Sequence, residues 1–201
     1  APMAAPSPLW PATLHHFRMN SENPAALVPF YEQGFALTAK QIGEDLWHLA
    51  GPERRILIGR GDNTKVAFAA FALDDPDRLD ALQRHIAAQG VPIEENVSPL
   101  FGNAAFAVRD PDGQLLVFGV PRDDVDAHAG TEGLPGRTQH IVFGSPQMAA
   151  VAAFYRDVLG FVVSDEVIDD DGRVTSCFLR SDEEHHSYAV FQSDQQGYDH
   201  H

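Results

Sequence analysis

The sequence predicts an α+β fold of repeated βαβββ modules, and three observations support this prediction. The segments LHHFRMNSENPAALVPFYEQGF and TQHIVFGSPQMAAVAAFYRDVLGF share one order: a histidine-led strand, a Pro-containing break, a helix ending in Phe-Tyr, and Gly-Phe. His16 precedes His140 by 124 residues, and Phe30 precedes Phe154 by the same 124. Short apolar runs bounded by turn residues follow each helix. Two related domains are therefore expected.

Three helices are indicated by a capping side chain followed by proline at the first helical position. These starts are Asn23-Pro24, Asp75-Pro76 and Ser145-Pro146. The second and third helices have apolar residues at three- and four-residue steps, which predicts one buried face for each. The buried-face positions are Leu79, Leu82 and Ile86 in the second helix and Met148, Val151, Tyr155 and Val158 in the third. Gly90 and Gly160 are expected to end these two helices in the left-handed conformation.

Six strands are expected around the helices: RRILIGRG, KVAFAAFAL, NAAFAVRD, QLLVFGV, VTSCFLR and SYAVFQ. Residues 1–120 are expected to form an N-terminal domain of two modules, which is predicted to be metal-free. Residues 121–136, rich in Gly, Pro and acidic residues, are expected to be a linker. Residues 137–201 are expected to form a truncated C-terminal domain: a third module and the first strand of a fourth, beginning near Tyr198.

Composition excludes several classes of function. The 29 acidic and 14 basic side chains give a net charge of −15, without the basic surface that nucleic-acid binding needs. No apolar run approaches the roughly 20 residues of a membrane-spanning helix, and the first residues do not resemble a secretory signal. Cys177 is the single cysteine and is expected to be a small buried residue, which favours a reducing, cytoplasmic location.

Paired βαβββ modules with DPDG before a final strand, at Asp110 to Gly113, resemble the vicinal oxygen chelate superfamily of glyoxalases, resistance proteins and extradiol dioxygenases. FLRSDEEHHSYAVFQ is similar to the pattern around the His-His-Ser motif of type I extradiol ring-cleavage dioxygenases. This resemblance implies an oxidoreductase of aromatic catabolism that cleaves a catecholic compound with O2 at non-haem Fe(II), with Mn(II) as an alternative. It also implies a homo-oligomer.

The resemblance assigns roles to particular histidines. His140 would be the first metal ligand, and His200 or His201 the second, with His200 preferred. If this segment is a strand, only one of the two can face the metal, because neighbouring side chains point to opposite sides. His186 would be the catalytic acid and base, since an imidazole can exchange a proton near neutral pH. The third ligand, a glutamate, would lie beyond His201 in a longer chain.

Three further residues are expected to line the substrate pocket: Val142, Phe178 and Tyr188. Val142 lies two residues after His140 and therefore on the same face of its strand, although core packing more readily explains an apolar residue there. Alternation alone does not decide which face Phe178 and Tyr188 occupy.

The first domain departs from the metal-binding pattern of the family. Val117 stands where a metal-binding module has glutamate, four residues after the glycine of DPDG. His15 and His16 are therefore expected to be relics of duplication or surface residues. This departure favours an alternative function, a metal-free resistance-type protein that sequesters a small aromatic ligand. A glyoxalase-like isomerase is a third and weaker possibility, because His-His-Ser is not its signature.

Overall fold

The computed structural model describes residues 6–63, 65–131, 136–138, 140–184 and 186–201. Its first part contains, in order, β1 (Thr13–Ser21), α1 (Pro24–Phe35), β2 (Thr38–Gly43), β3 (Leu46–Gly51), β4 (Arg54–Arg60), β5 (Val66–Ala72), α2 (Pro76–Ala87), β6 (Glu94–Glu95), β7 (Phe106–Arg109) and β8 (Leu115–Gly119). Its second part contains β9 (Ile141–Ser145), α3 (Met148–Ala153), β10 (Val162–Ile168), β11 (Val174–Arg180), β12 (Tyr188–Gln192) and β13 (Gly197–His200). A π-helical segment, Phe154–Leu159, continues α3.

The strands form two sheets with the same internal order. The first sheet runs β2-β3-β4-β1-β5-β8-β7-β6, and the second runs β10-β11-β12-β9-β13. β1 pairs in parallel with β4 and antiparallel with β5, and β9 pairs in the same two ways with β12 and β13. Strand β13 therefore takes the place in the second sheet that β5 takes in the first. The predicted α+β fold of repeated βαβββ modules is confirmed.

One apolar core joins the helices to one face of each sheet. It includes Tyr31 of α1, Leu82 of α2, Tyr155 after α3, and Phe71 and Phe143 of the two sheets. A second apolar cluster covers the opposite face of the first sheet and includes Leu57, Phe68, Leu100, Phe101 and Val117. The opposite face of the second sheet is covered by neither of these two apolar clusters of described residues.

Two of the three predicted N-caps are confirmed. Asn23 and Asp75 each accept a backbone N–H bond as N-caps of α1 and α2. The predicted cap at Ser145 is wrong, because Ser145 is the last residue of β9 and its hydroxyl accepts from the Gln147 N–H in a turn. Helix α3 begins only at Met148. Its π-helical continuation ends at Gly160, whose φ of 100° is the expected left-handed conformation.

Cys177 is buried, as expected. Among the described residues, no helix is both long and apolar enough to cross a lipid bilayer.

The DPDG turn of the first sheet is held against the helix of the second. One carboxylate oxygen of Asp110, Oδ1, accepts backbone N–H bonds from Asp112 and Gln114 at 2.9 Å, which closes the turn between β7 and β8. The other, Oδ2, accepts from the hydroxyl of Tyr155 at 3.0 Å. Burial raises the pKa of Asp110 to about 6 despite these hydrogen bonds. The titratable carboxyl group of Asp110 therefore lies where the first sheet contacts the helix of the second part.

This contact predicts a pH dependence of stability that Asp110→Asn removes. Because the folded-state pKa lies above the ordinary value, Asp110 contributes stability that is present below pH 4 and is lost as pH rises through about 6. The loss should be about 2–3 kcal/mol of unfolding free energy, since one pKa unit corresponds to about 1.4 kcal/mol. Urea unfolding between pH 4 and 7 should show that the wild type loses about this much unfolding free energy relative to Asp110→Asn as pH rises, whatever the buried histidines contribute to both proteins.

Asp123→Asn is the matched control, because Asp123 is an exposed carboxylate. Its unfolding free energy should follow the wild-type pH profile. The same pH profile of unfolding free energy in Asp110→Asn and in the wild type would show that Asp110 contributes no pH dependence.

Candidate metal centre

Three histidines meet on the second sheet, on the face that the core leaves uncovered. His140 immediately precedes β9, the strand that lies between β12 and β13. His186 precedes β12 and His200 lies on β13, so the two flank His140 from either side. The ring centroid of His140 lies 4.8 Å from that of His186 and 5.7 Å from that of His200. His185, the first residue of the His-His-Ser motif, lies outside the described residues.

The two terminal histidines point to different surroundings. His200 pairs with Val142 across β13 and β9, next to His140. His201 instead lies among aromatic rings, with its ring centroid 4.9 Å from Phe17 and 5.9 Å from Tyr31. Its Nδ1 also hydrogen-bonds the Tyr198 hydroxyl. Strand alternation thus separates the pair, and His200 is the one whose ring contacts that of His140.

The electrostatics around these rings suit metal binding. His200 Nδ1 is hydrogen-bonded to the carboxylate of Asp199, which fixes the ring and leaves Nε2 as the nitrogen that could coordinate an ion. Burial and the neighbouring His200 lower the pKa of His140, so its imidazole is neutral at pH 7 and can act as a ligand. No role for Asp199 was predicted from the sequence, although its position directly before a candidate ligand indicates that its carboxylate could contact the ring of His200.

The donor groups present fit two of the three positions of a 2-His-1-carboxylate site. Two imidazoles on adjacent strands match the nitrogen ligands of such a site. Within the ranges that the structure describes, no group of three or more His, Cys, Asp or Glu side chains could hold a metal ion. The carboxylate that would complete the set is therefore not among the described residues.

The predicted pocket residues divide between the two faces of the second sheet. The ring of Phe178 meets that of His186 at a centroid distance of 5.0 Å and an angle of 64°. Val142 is paired with His200 and lies on the same face. Tyr188 does not line this site: its ring is fully buried in the core and stacks on Tyr155 at 4.4 Å. The expectation for Tyr188 is corrected because its position on β12 points it to the core.

The equivalent histidine of the first domain is engaged in hydrogen bonds. His16 Nδ1 lies 2.7 Å from His15 Nδ1, and His16 Nε2 lies 2.7 Å from Ser98 Oγ. Both ring nitrogens are thus occupied. The expectation of surface histidines is wrong, since both rings are buried, and burial holds the pKa of each far below its usual value. Val117 is fully buried in the apolar cluster on the same face, where a carboxylate would be needed.

Comparison with models of protein families shows which family this chain belongs to. The model of the Glyoxalase/Bleomycin resistance protein/Dioxygenase superfamily matches residues 13–118 and 137–201. The chain belongs to this superfamily. Both matched ranges coincide with the two sheets, so each sheet is a unit of this family's fold.

The individual proteins that this chain resembles include a metapyrocatechase and two homoprotocatechuate 2,3-dioxygenases. The chain is 24% identical to metapyrocatechase of Pseudomonas sp. (strain CF600) over 160 residues, which are 73% of this chain and 52% of that protein. It resembles the crystal structure of homoprotocatechuate 2,3-dioxygenase from Arthrobacter globiformis with a TM-score of 0.77, at 20% identity, over 97% of this chain and 63% of that one. The Brevibacterium fuscum enzyme, in complex with 3,4-dihydroxyphenylacetate, gives 0.77 at 18% identity, over 97% and 64%. The chain thus spans about half the length of the curated relative.

Proposed function

We propose that the protein is an extradiol dioxygenase that opens a catecholic ring beside its two hydroxyls, using O2 and non-haem Fe(II). The observation that carries the proposal is the meeting of His140, His186 and His200 on one sheet face. The names of the relatives support the same reaction class. His140 and His200 would hold the ion, and the carboxylate ligand would come from beyond His201. Mn(II) is a possible replacement, because the same ligand set accepts either ion.

When bound, ferrous iron supplies the redox chemistry that joins a catechol to dioxygen. The protein's own part is binding, orientation and proton transfer. His186 would accept a proton from a catechol hydroxyl and later return one to the substrate oxygen, because its ring lies within 4.8 Å of His140 and so beside the reacting centre. Phe178, edge-on to His186, would fix the plane of that ring. Val142 would form part of the floor beneath the substrate.

The test uses the protein expressed from its own gene, loaded anaerobically with ferrous iron. Addition of catechol and air should consume O2 in equal molar amount to catechol and give the ring-opened product, which is followed by its visible absorbance. Mn(II) loading in parallel would determine which ion supports turnover. Binding of iron without any ring opening of a panel of substituted catechols would contradict the proposal.

A second function, sequestration of a small aromatic compound without metal, is favoured by Val117 and by the incomplete ligand set of the described residues. Iron content separates the two functions. Near one iron per chain in the isolated protein supports the dioxygenase. Tight aromatic binding in an iron-free protein that ferrous salts do not change supports sequestration.

A further inference from the structure

A cleft of about 370 Å³ lies between the two domains, with His140 at one wall. The first domain contributes Phe35, Leu37, Arg54, Arg55 and Ile56, and the later part of the chain contributes Gly136, Arg137, Thr138, His140 and His201. The walls therefore combine three guanidinium groups with three apolar side chains. No part of the ring-cleavage proposal uses these arginines.

The three arginines differ in their partners. Arg55 forms a forked ion pair with Asp126, with N–O distances of 2.6–2.9 Å. Arg137 lies beside two carboxylates, those of Asp182 and Glu184. Arg54 is different: its Nε and Nη2 are buried, and no acceptor reaches them among the residues that the structure describes. The cleft therefore contains one guanidinium with two buried N–H groups that no described acceptor satisfies.

A partly buried guanidinium whose N–H groups lack acceptors carries a desolvation cost, which a bound anion would offset. This is notable in a chain with a net charge of −15, where carboxylates are abundant. The Arg54 side chain is held in place over Gly51, at which a Cβ would come within 3.3 Å of Nη2.

We infer that this interdomain cleft binds a small organic monocarboxylate, with its carboxylate at Arg54 and its apolar body against Phe35, Leu37 and Ile56. A carboxylate matches the planar guanidinium fork. A dianion fits less well, because the second charge would approach the carboxylates that already pair with Arg55 and Arg137. The cleft volume is in the range of small-molecule sites.

Benzoate is the probe, and benzamide, which has the same shape without charge, is its neutral control. Calorimetric titrations are made on the protein expressed from its own gene, with a chelator present so that iron coordination cannot contribute. Benzoate should bind at one site at least about tenfold more tightly than benzamide, since a charge-assisted hydrogen bond exceeds a neutral one. Equal binding of the two probes, or no binding of benzoate, would overturn the inference.

Arg54→Met should weaken benzoate binding by at least about tenfold, whereas Arg84→Met should leave it unchanged. Arg84 is a suitable control because its side chain is exposed on α2 and pairs only with Asp80 among the described residues. Unchanged benzoate affinity in Arg54→Met would place the anion elsewhere and refute the assignment.

Thermal unfolding without ligand gives an independent check on Arg54. Arg54→Met removes no ion pair of the described residues, so its Tm should equal or exceed the wild-type value. Arg55→Met breaks the pair with Asp126 and should lower the Tm by about 2–4 °C or more. If Arg54→Met lowered the Tm as much as Arg55→Met, or failed to fold, Arg54 would have an internal partner and the inference would be wrong.

Discussion

Replacing His140 or His200 by alanine is expected to remove iron binding and ring cleavage together, whereas His201→Ala keeps both. His140 and His200 provide the two imidazoles that meet on one face of the second sheet, and His201 points to an aromatic cluster instead. The loss of a ligand should cost more than the roughly 10–100-fold in metal affinity that is typically lost when a hydrogen-bond partner of a metal ligand is changed. Iron per chain after anaerobic loading and gel filtration measures the effect.

His201→Ala is the matched control for His200→Ala, since it removes the neighbouring side chain of the same type. It should lower the unfolding free energy by about 0.5–1.5 kcal/mol, because the ring contacts with Phe17 and Tyr31 are lost. Full iron content in His200→Ala with loss in His201→Ala would mean that the second ligand is His201.

His186→Ala should retain iron and still lose most of its turnover. The ring of His186 lies beside that of His140, and its proposed task is proton transfer and not metal binding. General acid–base catalysis by a positioned side chain contributes about 10²- to 10⁴-fold, so kcat should fall by that factor. Iron analysis and oxygen uptake on the same sample separate the two effects.

Phe178→Leu is a useful comparison for His186→Ala. It removes the edge-on ring that orients His186 while keeping an apolar side chain. Its kcat should fall less than that of His186→Ala, with iron content unchanged. A His186→Ala protein with normal kcat would exclude His186 from the chemistry, and one without iron would make it a ligand.

Much of this site could be predicted from sequence because it depends on repeat and alternation. The offset between His16 and His140 locates the strand pair that the two sheets share, and β13 occupies the position that the repeat requires. Strand alternation predicted that only one of His200 and His201 could face the site. The sequence favoured His200, and the register of His200 against Val142 supports that preference.

Other features could not be predicted, for physical reasons. Strands β2 and β10 lie at sheet edges and are mostly exposed, so neither shows the alternation of apolar and polar residues that marks a half-buried strand. Tyr188 was misplaced because an aromatic residue suits either a core or a pocket. His15 and His16 are buried because they hydrogen-bond each other and Ser98, which is 82 residues from His16 in the chain and invisible to local patterns.

The measurement that tests the central claim most directly is the reaction of the iron-loaded protein with catechol under isotopically labelled dioxygen. Mass spectrometry of the product, quenched at once, reports where the oxygen goes. The account predicts a ring-opened product that contains both labelled oxygen atoms, and no such product from His140→Ala. Catechol recovered intact, or a ring-opened product without label, would contradict the assignment of this chain as an extradiol dioxygenase.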